Sequence, residues 1–149
     1  MTQRHINPPT LARPTGYTHV VETTAARTVY ISGQVALDAS GEIVGAGDMR
    51  AQAQQVFENL HTALRSVGAS FNDVVKVTYF ITDMAQLPVV REVRDQFIQP
   101  ENLPASTAVE IRRLAREEYL LEIEAIAASV ALDTPRHTPR HTPRQSIAS

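Results

Sequence analysis

The chain has no cysteine and no tryptophan in its 149 residues. Without cysteine there is no disulfide framework, no thiolate nucleophile and no cysteine-based zinc site. Nor does any stretch approach the roughly 20 apolar residues of a membrane span, and the opening MTQRHINPPT has no signal-peptide hydrophobic core. A cytoplasmic location with no membrane partner is the expectation. Gly-rich phosphate loops, clusters of metal ligands and basic-aromatic surfaces are all missing, so neither a metal nor a cofactor is expected. Positive charge is scarce too. The formal net charge is -2, and the tail from Asp133 onward carries Arg136, Arg140 and Arg144, which leaves residues 1–132 at -4. An acidic body is a poor electrostatic partner for nucleic acid. A chain of this length is most simply one domain, able to bury roughly two-thirds of its unfolded surface without a metal or disulfide.

What is present is a sequence of strand and helix signals. Residues 1–14 hold Pro8, Pro9 and Pro14 and read as an irregular N-terminal arm. Tyr17 to Val21 and Thr28 to Val35 are β-branched and aromatic runs separated by ETTAA, expected to pair with each other. Gly33 interrupts the second run, a sign of a bulge or of close approach by another group. Ser40-Gly41 marks a turn. Met49, Ala53, Val56, Leu60, Ala63, Leu64 and Val67 recur at helical spacing, with Asp48 as N-cap and Gly68 as C-terminal stop. Val74 to Ile81 is a strand apolar enough to be covered on both sides. A second helix is expected over about Leu87 to Ile98, with Pro88 in its first turn.

Two alternating runs follow. Ala105, Thr107, Val109 and Ile111 share one face, as do Leu121, Ile123, Ala125 and Ala127, and the charged RRLAREE between the runs suggests an antiparallel hairpin at the centre of a sheet. The order is β-β-α-β-α-β-β, an α+β sandwich with two helices on one face of a mixed sheet. The domain is expected over residues 15–131. The tail over 132–149 repeats T-P-R with a period of four, which excludes helix and sheet and reads as disordered. His137 and His141 stand four apart there, but without a helix that spacing makes no metal site.

PASTAVEI at Pro104 to Ile111, LEIEAIA at Leu121 to Ala127 and ISGQ at Ile31 to Gln34 together resemble the RidA (YjgF/YER057c/UK114) family. The resemblance runs from about Gly16 to about Ala128. It implies a chorismate mutase-like fold, a homotrimer with pockets between subunits, and hydrolysis of reactive enamines or imines to carbonyl compounds and ammonia. It places Glu122 in the substrate pocket, where a partly desolvated carboxylate can take a proton from water attacking an iminium carbon. Read without the family, a carboxylate at that strand position is more often solvent-facing; Glu124 shares its parity and is the fallback. Tyr17 follows Gly16 as in the G-P-Y segment of relatives, although here Thr15 precedes Gly16 and Thr18-His19 follow Tyr17, and it could hydrogen-bond substrate or water. Ser32 and Gly33 fall in the family's pocket motif, though no Ser-His-Asp grouping makes Ser32 a nucleophile.

Ser106 departs from the pattern. Family deaminases carry P-A-R-S where this chain has Pro104-Ala105-Ser106-Thr107, and that arginine grips the substrate carboxylate through a bidentate pair that serine cannot copy. Either the substrate lacks a carboxylate and is held by Ser106 and Thr107, or another arginine (Arg91, Arg112 or Arg113) replaces the clamp, or the pocket binds without turnover. Two readings from different classes follow: an imine deaminase of altered substrate, and a non-catalytic small-metabolite binder on the same trimer. RNA cleavage is disfavoured by the charge. His61 lies beside the apolar stripe of the first helix and reads as structural or exposed, and His19 carries no assigned role.

Overall fold

A computed structural model describes residues 2–130. The disordered reading of the Thr-Pro-Arg tail lies outside the described residues. Helix α1 spans Met49–Ser66, and Asp48 caps it as expected, its side chain accepting from the Ala51 N–H at 3.1 Å. Gly68 stands just past its end with φ +69°, where a residue with a Cβ would be strained. The buried face carries the expected Met49, Ala53, Val56, Leu60 and Leu64, and adds Gln52 and Phe57. Helix α2 spans Leu87–Arg94. It stops short of the expected Ile98 because the chain tightens into a turn, with the Phe97 and Ile98 N–H groups both donating to Arg94 O. Pro100 then holds Gln99 extended.

Among the described residues six strands accompany the helices: β1 Gln3–Ile6, β2 Val20–Thr23, β3 Arg27–Gln34, β4 Val74–Ile81, β5 Ala105–Glu110 and β6 Leu121–Ser129. Strands β3, β6, β4 and β5 form one mixed sheet in that spatial order, and β1 and β2 form a separate antiparallel pair. The alternation of β6 sends Leu121, Ile123, Ala125 and Ala127 into the core with Val77, Tyr79 and Ile81 of β4, beneath α1 and α2. Phe57, Phe71 and Phe97 close one end of this core, Phe57 stacking on Phe97 with ring centroids 5.4 Å apart. Among the described residues no helix lies over the opposite face of the sheet. Tyr30 there is 78% exposed, and Lys76, Thr78 and Phe80 are half-buried.

Three pairing expectations are corrected. The arm is not irregular throughout: Gln3–Ile6 pairs with Val20–Thr23, ahead of the prolines that exclude regular structure only where they stand. Strands β2 and β3 therefore do not pair with each other; β3 pairs with β6. The PASTAVEI and LEIEAIA runs do not form a hairpin either. Strand β4 lies between them, parallel to β5 and antiparallel to β6. Strand β5 is thus an edge strand, reached from β4 by a crossover through α2, the connection that parallel neighbours need. Val74 to Ile81, expected to be covered on both sides, is covered by helices on one side within this chain.

Candidate functional site

Register sorts the candidate residues onto two faces of one sheet. Glu122 pairs with Phe80, Glu124 with Thr78, and Thr78 with Thr107, so these side chains share the open face. Ser106 pairs with Val77, which is buried under the helices, so Ser106 belongs to the other face.

On the open face, Glu122 is half-buried and lies against Gly33. The pairing of β3 with β6 slips by one residue between Ile31 and Gln34, a bulge that contains Ser32 and Gly33. Both possibilities raised by the glycine are therefore realised at once. A Cβ on Gly33 would overlap the Glu122 carboxylate, so the glycine makes the room that the carboxylate occupies. Beside it a depression of about 380 Å³ is bordered by Tyr30, Ser32, Lys76, Thr78, Glu124 and Ile126. Lys76, the only lysine of the chain, donates to Thr107 Oγ1 at 2.8 Å. No sequence signal singled out Lys76.

On the helix side, Gly16, Tyr17 and Thr18 are fastened to the segment that leads into β5. The Thr18 N–H donates to Pro104 O at 3.1 Å and its hydroxyl to Leu103 O at 2.6 Å. His5 Nδ1 lies 3.1 Å from the same Leu103 carbonyl. Tyr17 is half-buried, in edge contact with His19 at 5.2 Å between ring centroids. Gly16 has φ +81° and sits against α2. Arg94, with only 8% of its side chain exposed, donates through Nη1 to Gly16 O at 2.8 Å and through Nη2 to Asp95 Oδ1 at 2.7 Å. A Cβ built on Gly16 would stand 3.2 Å from Arg94 Nη1 and 3.5 Å from Arg91 Nε, so both arginines pack on this turn. The Tyr79 phenol is buried nearby with no hydrogen-bond partner among the described residues. Burial pushes it up to about 12, against the opposing pull of Arg94.

Arg94 and Tyr79 were not picked out from the sequence. Arg94 was hidden because a buried arginine one helical turn past Val90 looks like a solvated charge until Gly16 is brought to it. Arg112 and Arg113 lie beyond the end of β5 remote from Ser106, both exposed, with Arg113 near Glu117. Of the three arginines weighed as replacements, Arg91 alone stands at the Gly16 turn. His61 is exposed and stacks on Phe71 at 6.1 Å between centroids. Among the described residues no group of His, Cys, Asp or Glu could hold a metal ion, and no helix is long and apolar enough to cross a membrane.

The family model described as Endoribonuclease L-PSP matches residues 10–129. The chain belongs to the RidA family. A RutC family protein of Pyrococcus horikoshii is 42% identical over 104 residues, covering 69% of this chain and 80% of that protein. A 2-iminobutanoate/2-iminopropanoate deaminase of Mus musculus is 42% identical over 102 residues, covering 68% of this chain and 73% of the enzyme. Among solved structures, a Rid-family protein of Yersinia pestis superposes with TM-score 0.80 at 39% identity, covering 86% of this chain and 99% of that one. The mixed sheet with two helices on one face is therefore the Rid fold, as the motifs implied.

Proposed function

We propose that this RidA-family chain hydrolyses a reactive imine or enamine to a carbonyl compound and ammonia, in a pocket formed between copies of itself. One observation carries the reading. The Glu122 carboxylate is seated over the Gly33 bulge on the open face, whereas Tyr17, Arg91 and Ser106 lie on the helix side. A single copy cannot close both groups around one small molecule, because its own sheet lies between them. A second copy laid against the uncovered face supplies the missing half, and a homotrimer is the assembly the resemblance implies. Two relatives named 2-iminobutanoate/2-iminopropanoate deaminase, from Mus musculus and Homo sapiens, support the reaction class at 42% and 33% identity.

In this mechanism Glu122 takes a proton from water as the oxygen attacks the carbon of the protonated imine, then returns it to the nitrogen of the carbinolamine, so that the C–N bond breaks with release of ammonia while the hydroxyl loses its proton and the carbonyl forms. Tyr17 orients the substrate or the water. Ser32 and Gly33 shape the floor beneath Glu122, Thr107 stands on the same open face, and Ser106 meets the substrate from the helix side of the second copy. No cofactor is required, since water and a proton acceptor suffice. Glu122→Gln keeps the shape of the side chain and removes its basicity, so ammonia release from freshly generated imines is expected to fall by about a hundredfold or more. Full turnover by that variant would remove Glu122 from its role.

Ser106, at the position where the resemblance places a carboxylate-gripping arginine, favours a second reading: a trimer that binds a small metabolite without turning it over. Ligand binding with no ammonia release from any imine would decide for it.

A further inference from the structure

We infer that Arg91 is the anion-gripping residue of this site, that the substrate bears a carboxylate, and that Arg94 is the residue that positions Arg91. The inference rests on the imine-hydrolase reading for the identity of the ligand, but its geometry stands apart from it.

Two guanidinium groups meet the Gly16 turn, three residues apart on α2 and so on one helix face. Their situations differ. Arg94 is fully engaged: Nε and Nη2 hold Asp95, Nη1 holds the Gly16 carbonyl, and the side chain is buried. Arg91 is half-buried against Gly16, yet its guanidinium makes no hydrogen bond or ion pair among the described residues. The carboxylates beside it in sequence are taken: Asp95 by Arg94, and Glu92 by Arg50 at 2.6 Å. A half-buried cation next to a second cation, with its acidic neighbours Glu92 and Asp95 paired to other arginines, is disposed to take an anion from outside. The planar fork of donors selects a carboxylate by bidentate geometry.

Position agrees with charge. The Gly16 turn is tied through Thr18 to Leu103 and Pro104, which lead directly into the strand that carries Ser106. A clamp on α2 thus serves the end of β5 where Ser106 stands in place of the arginine that the family deaminases carry. Arg94 acts through this turn: by holding Gly16 O it fixes the surface on which Arg91 rests, and its own charge is neutralised by Asp95. Gly16 is required twice over, by its positive φ and because a Cβ would press on both arginines.

The test measures ammonia release from 2-iminobutanoate and from an uncarboxylated imine of similar size, alongside calorimetric binding of 2-oxobutanoate, all on the full chain. For Arg91→Gln, kcat/KM on the carboxylated imine should fall about a hundredfold and on the uncarboxylated imine by far less, and 2-oxobutanoate binding should be lost. Arg94→Lys should raise KM for the carboxylated imine alone, and should add nothing in the Arg91→Gln background, since it acts through Arg91. Equal effects of Arg91→Gln on both imines, or none, would overturn the inference. If wild type hydrolyses neither imine but binds 2-oxobutanoate in an Arg91-dependent way, the anion site stands and the hydrolase reading falls. If it also fails to bind 2-oxobutanoate, both fall.

Discussion

Tyr79 shows at the scale of a single residue how the interior of this protein tolerates a polar group. Its hydroxyl is buried without a hydrogen-bond partner among the described residues, a condition that costs about 1–3 kcal/mol where it occurs. Tyr79→Phe should therefore leave stability unchanged or raise it slightly near neutral pH, by urea denaturation. The pH dependence has a defined sign. A phenol raised from 10.0 to about 12 in the folded state keeps its proton longer than in the unfolded chain. Its contribution is fully present below pH 10 and is lost as the pH rises through 12. Wild type should thus lose stability relative to Tyr79→Phe between these limits, and parallel curves would disprove the assignment. Gly33 belongs to the same scale. Gly33→Ala would drive a methyl group into the Glu122 carboxylate, and turnover should drop by at least tenfold while circular dichroism remains native.

Gln52 does comparable work between whole elements. It is fully buried on α1, where its amide donates to Gly45 O at 3.2 Å and Glu118 O at 2.8 Å and accepts from the Leu120 N–H at 2.9 Å. One side chain thus pins both the loop ahead of α1 and the connector that delivers β6 into the sheet. Gln52→Leu keeps the volume but strands these backbone groups, and should cost about 2–4 kcal/mol in chemical denaturation. Asp48→Ala, which removes only the cap of the same helix, should cost about 1 kcal/mol. A larger loss for the cap than for Gln52 would invert the argument. The glutamine was missed because the helical stripe was read as apolar; its place within the stripe, between Met49 and Val56, was the available signal.

The whole molecule raises the question of what covers the open face. Tyr30, Ile126 and the half-buried Phe80 make it apolar, and Lys76 and Glu124 have no ion-pair partner there among the described residues. Light scattering should give a mass three times that of the chain, and a monomer would remove the shared pocket. The proposed division of the site between copies has a sharper consequence. Mixed assemblies refolded from Glu122→Gln and Arg91→Gln chains should recover activity on the carboxylated imine, because some interfaces join an intact Glu122 to an intact Arg91. Random mixing gives about a quarter of the pockets in that state. Mixtures no more active than their parents would mean that both residues serve from one chain.

The two helices and the five strands from β2 to β6 in their order, the Asp48 cap, a bulge or close approach at Gly33 and the family were legible in the sequence, because each depends on local spacing or on short motifs; β1, in the proline-bearing arm, was not. The LEIEAIA alternation alone placed Glu122 opposite the core. Which strands are neighbours was not legible. Whether β5 pairs with β6 or with β4 depends on what α2 packs against, and a charged connector looks the same in either case. For the same reason the sequence could name Arg91 as a substitute clamp but could not choose it over Arg112 or Arg113. Placement of Arg91 at the Gly16 turn required Gly16 and α2, some 75 residues apart in the chain, to be brought into contact by burial of apolar surface, a force that carries no local signature.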